Sequence, residues 1–145
     1  MENGQFLLCR IGKRIGALAI SDIQETLRPL PVEPVTGAPP FVLGVAILRG
    51  SPTPVIDVGR LLGSHSTIGR FVALRLGTRS VALAVEAVLD VRSLPIQMSS
   101  QVPRLLGEAS ATLVSALGSL DAELLVVLEA SRVAQVLDWP RFSVL

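Results

Sequence analysis

This 145-residue chain holds one histidine, His65, and one cysteine, Cys9, so any nucleophile–base dyad must be built from those two. Such a dyad needs both groups within hydrogen-bond reach and a third group to orient the base. Cys9 instead lies in the alternating apolar run 6–11, where it reads as a small core side chain, and His65 falls in a Gly/Ser-rich connecting stretch. Asp22, Asp57, Asp90 and Asp121 all fall at expected turns, where a carboxylate caps backbone donors instead of sharing acid–base work. No set of His, Cys, Asp or Glu has metal-ligand spacing, and no glycine-rich loop joins a strand to a helix as a phosphate cradle would. The inventory predicts no enzyme, no metal and no cofactor.

Composition narrows the remaining classes. Half the residues are apolar, only 17% are charged, and mean hydropathy is +0.59. The longest apolar stretches, 81–85 and 124–128, fall far short of the roughly 20 residues of a spanning helix. With no basic-then-apolar leader at the N-terminus, the expected compartment is the cytoplasm, and a single cysteine allows no internal disulfide. Aliphatic excess without a membrane span predicts apolar surface kept for protein partners. A net charge of +1 with no tyrosine, one tryptophan and four phenylalanines argues against nucleic acid, which needs phosphate contacts and stacking rings. A small-barrel nucleic-acid binder is the weaker alternative, and salt-dependent oligonucleotide binding would mark it.

The elements that position these residues come in two copies. Residues 6–23 recur at 71–88, sixty-five positions on, with Phe6/Phe71, Arg10/Arg75, Gly12/Gly77, Arg14/Arg79 and Ala-Leu-Ala in register. One residue then drops out, and 27–32 reads again as 91–96. Pro54-Val-Ile-Asp57 and Arg60 echo more weakly in Val126-Val-Leu-Glu129 and Arg132. Each copy opens with an apolar hairpin turning at a glycine, Gly12 or Gly77. Ser21-Asp-Ile-Gln24 has capping-box spacing and predicts one helical turn. Five prolines between Pro29 and Pro40 make a stiff crossover. Within it Pro31-Val-Glu-Pro34 has the PxxP spacing of an SH3 ligand, beside the plainer reading of a rigid loop. A second hairpin is expected over 41–57 with its turn at 50–53, then a helical turn capped by Asp57 and stopped by Gly63. Later strands are expected at 109–118 and 124–128, a terminal helix over 131–137, and Trp139 as a terminal anchor. Short strands with scraps of helix predict an all-β protein, a small closed barrel made twice. The chain is one domain with sub-barrels at about 1–66 and 67–145 and strand exchange between them allowed.

One segment stands out: Gly44-Val-Ala-Ile-Leu-Arg-Gly-Ser-Pro-Thr-Pro-Val-Ile-Asp57. It resembles the signature of the CheW family, the coupling proteins of bacterial chemotaxis, and the likeness runs from Phe6 to about Leu137. Ala38-Pro-Pro-Phe-Val-Leu-Gly44 and Leu18-Ala-Ile-Ser-Asp-Ile-Gln-Glu25 resemble the family's flanking segments. Ile47 departs from the pattern, which often has Asn there. The resemblance implies two packed SH3-like five-stranded barrels and a non-catalytic adaptor. Its implied partners are the cytoplasmic tip of a methyl-accepting chemoreceptor and the regulatory domain of a CheA-type histidine kinase. A stand-alone regulatory module of a kinase system controlling pili or development is the alternative. It also implies partner contacts for Arg49, Thr26 and Arg28. By alternation Arg49 is expected on a strand face with Val45 and Ile47, its planar fork open to a partner carboxylate or carbonyl. Gly44 and Gly50 are expected to serve the backbone, and Pro54 and Asp57 to complete the structural motif.

Overall fold

A computed structural model describes residues 3–95, 114–120, 123–130 and 132–133. Among these residues ten strands form two sheets: β1 Asn3–Ile11, β2 Arg14–Ala19, β3 Ile23–Leu27, β4 Val42–Leu48, β5 Ser51–Asp57, β6 Arg70–Leu76, β7 Arg79–Val85, β8 Ala87–Pro95, β9 Val114–Leu120 and β10 Glu123–Leu128. One helical turn, α1 Val58–Leu61, follows β5. The strand orders are β8-β1-β2-β10-β9 and β3-β6-β7-β5-β4. Every strand of the second, central barrel lies between residues 23 and 85, whereas the first, terminal barrel is built from both flanks of that stretch. The sheets therefore do not divide near residue 66: each copy lends its opening hairpin to the other copy's last three strands. The links enforce this, for only Ile20–Asp22 separates β2 from β3 and only Glu86 separates β7 from β8.

The duplication is visible bond by bond. In the first hairpin Phe6 pairs with Ala19 and Ile11 with Arg14; in the second, Phe71 pairs with Ala84 and Leu76 with Arg79. Both turns place glycine in the left-handed region, Gly12 at φ 61° and Gly77 at φ 64°, where a Cβ would be strained. Beside them β10 runs parallel to β2 with Val127 opposite Ala17, and β5 runs parallel to β7 with Val55 opposite Ala82. The outer strands match as well: Thr26 of β3 faces Val72, and Val91 of β8 faces Leu7, with a bulge at the corresponding place in each. This register keeps the sixty-five-residue offset through residue 27, so no residue drops out before Leu27.

Among the described residues three apolar clusters result. One fills the terminal barrel with Leu8, Ile15, Ala17, Leu94 and Leu125, and another fills the central barrel with Ala46, Val55, Phe71, Ala82 and Ala84. The largest lies between the sheets, where Leu7, Cys9, Leu18 and Val126 meet Ile56, Val72, Leu74 and Leu83. The Arg14 guanidinium adds a polar tie across this seam, donating to the Leu62 carbonyl at 2.5 Å.

Several local expectations need correction. The turn expected at 50–53 sits at Arg49-Gly50, because β4 ends at Leu48 and β5 begins at Ser51. The helical turn near Ser21 is a 3-10 turn, Ile20–Asp22, without a side-chain cap, and Gln24 instead accepts from the Ser80 hydroxyl at 2.9 Å. Asp90 lies within β8, not at a turn. The strand expected over 109–118 is described from Val114 onward. Trp139, Asp121 and most of the helix expected over 131–137 lie outside the described residues.

Candidate functional site

The Leu-Arg-Gly segment forms a two-residue turn in which Arg49 (φ 48°) and Gly50 (φ 81°) both adopt the left-handed conformation. A primed turn of this kind matches the twist of the flanking strands. Arg49 is therefore not on the strand face of Val45 and Ile47; it projects from the tip of the hairpin. Its Nε donates to Glu25 Oε2 at 2.5 Å and its Nη2 to Glu25 Oε1 at 3.1 Å, a bidentate fork. The hydrogen bond from Arg49 holds the Glu25 carboxyl below its ordinary value and, reciprocally, raises the guanidinium.

This pair joins β3 to the β4–β5 turn, so it bridges the two outermost strands of the central barrel. The crossover completes the closure. Glu33 N–H donates to the Val45 carbonyl and Val45 N–H to the Glu33 carbonyl, both at 2.8 Å. Gly44 admits this approach, since a Cβ there would overlap the Glu33 carbonyl. Asp57, almost fully buried, accepts from the Arg60 N–H at 3.2 Å and caps α1. Pro54 lacks an N–H, and the parallel ladder to β7 begins only after it, at Val55.

Thr26 and Arg28 are exposed, Thr26 on β3 beside Glu25 and Arg28 just past the strand's end. The fold brings β3 to Arg49 through Glu25, while no ion pair or side-chain hydrogen bond among the described residues joins Thr26 or Arg28 to Arg49. Glu25 was not singled out from the sequence. It lies 24 residues from its partner, and no spacing rule connects a mid-strand carboxylate to a distant hairpin tip.

The terminal barrel presents different chemistry at the equivalent strand. Leu89 and Val91 are 45% and 47% exposed on β8, and Asp90 is paired with Arg92 at 3.5 Å. Its own bidentate pair, Arg10 with Glu123, links β1 to β10 across β2. Cys9 lies fully buried among aliphatic side chains, and burial pushes its thiol up to about 12, so it holds no thiolate at neutral pH. No hydrogen bond among the described residues joins it to His65. No group of three or more potential metal ligands occurs among the described residues, and no described helix is long and apolar enough to cross a membrane.

Two interlocked small barrels with an arginine–glutamate latch at one hairpin tip define a tandem-barrel binding module. Residues 5–138 match the CheW-like domain, and the chain belongs to that family. It is 25% identical over 132 residues to the chemotaxis protein CheW of Klebsiella aerogenes, covering 88% of this chain and 80% of the relative. It is 30% identical over 97 residues to the chemotaxis protein CheW of Rhizobium meliloti, covering 63% of each. The fold matches the crystal structure of the scaffolding protein TtCheW from Thermoanaerobacter tengcongensis with a TM-score of 0.73 at 18% identity, over 88% of this chain and 89% of that one.

Proposed function

We propose that this protein is a non-catalytic coupling adaptor of a chemotaxis-like pathway, acting in the cytoplasm. It joins the cytoplasmic tip of a chemoreceptor to the regulatory domain of a CheA-type histidine kinase. The observation that carries this reading is a pair of barrels with one ladder register and two unlike surfaces. Equivalent strands bear a latched Glu25–Arg49 on one barrel and exposed Leu89 and Val91 beside Asp90–Arg92 on the other. Two similar frames held in fixed relation suit two partners at once, and their different side chains keep the partners apart.

Arg49 is the residue assigned to the receptor contact. Its side chain is 71% exposed, so it reaches a partner carboxylate without unfolding anything, at the cost of sharing or releasing Glu25. In calorimetric titrations, Arg49→Ala should weaken receptor-tip binding by about thirtyfold, as loss of an interface hot spot does, and disturb kinase-domain binding less. The melting temperature should move little. Glu25→Gln separates roles: receptor affinity kept or raised means the free fork binds, whereas a matching loss means the paired geometry binds. Unchanged receptor affinity in Arg49→Ala, or a collapsed melting temperature, would refute the assignment.

A further inference from the structure

The crossover between β3 and β4 carries a proline pattern that the coupling function leaves unused. From Arg28 the sequence runs Arg-Pro-Leu-Pro-Val-Glu-Pro34, placing a cation three residues before the first proline of PxxP. Pro29, Pro31 and Pro34 fix their own φ near the polyproline value, and each restricts the residue before it to extended backbone. Six of the seven residues are thereby biased toward a polyproline II helix, which repeats every third residue. Positions 28, 31 and 34 then form one edge of a three-sided rod.

Exposure covers that whole edge and parts of the other two, since Pro29 and Glu33 are exposed as well. Arg28, Pro31 and Pro34 are all exposed. The other two edges are each partly anchored: Leu30 and Val32 pack against the central barrel core, and Val35 packs against the core between the barrels. The two 2.8 Å hydrogen bonds between Glu33 and Val45 pin the rod to β4. Arg28 makes no ion pair or side-chain hydrogen bond among the described residues. A rod held in place loses little entropy on binding, which is what makes such ligands effective.

We propose that residues 28–34 are a docking site for a partner domain with an SH3-type, aromatic-lined groove and a carboxylate placed to receive Arg28. The occupant is a different protein: among the described residues of this chain no fully exposed aromatic side chain is available to line such a groove. The sequence has no tyrosine, Phe71 is buried, and Phe6 and Phe41 are only partly exposed. The proline core of this contact, Pro31 to Pro34, lies outside the residues used for coupling, whereas Arg28 is shared with the partner contact that the family resemblance implies.

The test titrates the full-length chain into a recombinant tyrosine-kinase SH3 domain of the Arg-x-x-Pro-x-x-Pro-binding type, read by the intrinsic fluorescence of its groove tryptophan. Saturable binding is expected, displaced by a synthetic peptide of residues 27–35. Arg28→Glu and Pro31→Ala should each weaken it by at least about tenfold, with the melting temperature of Arg28→Glu unchanged. Absence of saturable binding overturns the proposal. So does binding by the peptide alone, which would mean the barrel occludes the rod, and so does binding indifferent to Arg28→Glu. Since the probe is neither receptor nor kinase, failure here leaves the coupling function untouched.

Discussion

The central and terminal barrels share a frame but tie its described strands with different side chains. In the central barrel the Arg49–Glu25 fork and the Glu33–Val45 bonds bring the outermost strands together. In the terminal barrel a different arginine–glutamate pair, Arg10–Glu123, clamps the strands on either side of β2. Bulk is also traded within the hairpins. Where the central barrel has Val81, the terminal barrel has Gly16, and a Cβ there would lie 2.6 Å from the Ile11 side chain that fills the space. The parallel ladder of the terminal barrel starts two positions earlier, at Leu125, because no proline interrupts β10 as Pro54 interrupts β5. Backbone register in this duplication is thus fixed by glycine turns and apolar alternation, while ion pairing and surface chemistry are set by a few side chains that the described parts of the copies do not share.

The largest expected effect tests the cores against each other. Phe71 is 2% exposed, and Phe71→Ala should cost about 3–5 kcal/mol in urea unfolding, as buried Phe-to-Ala changes do. Its counterpart Phe6 is only partly buried, so Phe6→Ala should cost clearly less; equal losses would mean that the two positions do not differ in core packing. Next come the helical caps. Asp57→Ala should cost about 1 kcal/mol, whereas Glu129→Ala should matter less, because Glu129 is exposed and its recorded partner is Arg132 at 2.6 Å.

Smaller effects lie in titration. Glu25 titrates below the ordinary 4.5 in the folded protein, so its pairing stabilises above the ordinary carboxylate range and is lost as pH falls through the depressed value. Carboxyl NMR should record this depression and its return to the ordinary value in Arg49→Ala; a titration insensitive to Arg49 would break the latch. Asp22 is shifted the opposite way, raised by desolvation and by nearby Glu129. Its ionised form therefore weakens the fold at neutral pH, and the strain eases as pH falls through the raised value. Asp22→Asn should raise the melting temperature slightly at pH 7, with the gain shrinking in acid.

Particular residues decide what was legible in the sequence. Phe6/Phe71, Gly12/Gly77 and the Ala-Leu-Ala runs set the hairpin register, because alternation and turn glycines are local. The strands β3 and β8 were obscured, since a bulge near Gln24 and Leu89 breaks the period-two pattern by which strands are recognised. Which barrel each hairpin would join was not readable, because both hairpins offer nearly the same side chains; the short links at Ile20–Asp22 and Glu86 decide it. Arg49 was found by motif, but its place in the turn depends on φ, and its partner Glu25 depends on the barrel's curl.

The exchange of hairpins also orders events on the ribosome. The strands of the central barrel emerge consecutively, so it can assemble while the chain is still growing. The hairpin β1–β2, with Leu7, Leu8, Ile11, Ile15 and Leu18 on its faces, emerges first yet waits for β10, its neighbour in the sheet. That wait is about 110 residues of translation, roughly 5 to 20 s at ordinary elongation rates. Strand β8 reaches β1 only after about 70 of those residues, and until then the nascent hairpin is sticky and without a sheet neighbour, so a slowed ribosome or an absent chaperone should hurt the terminal barrel while sparing the central one.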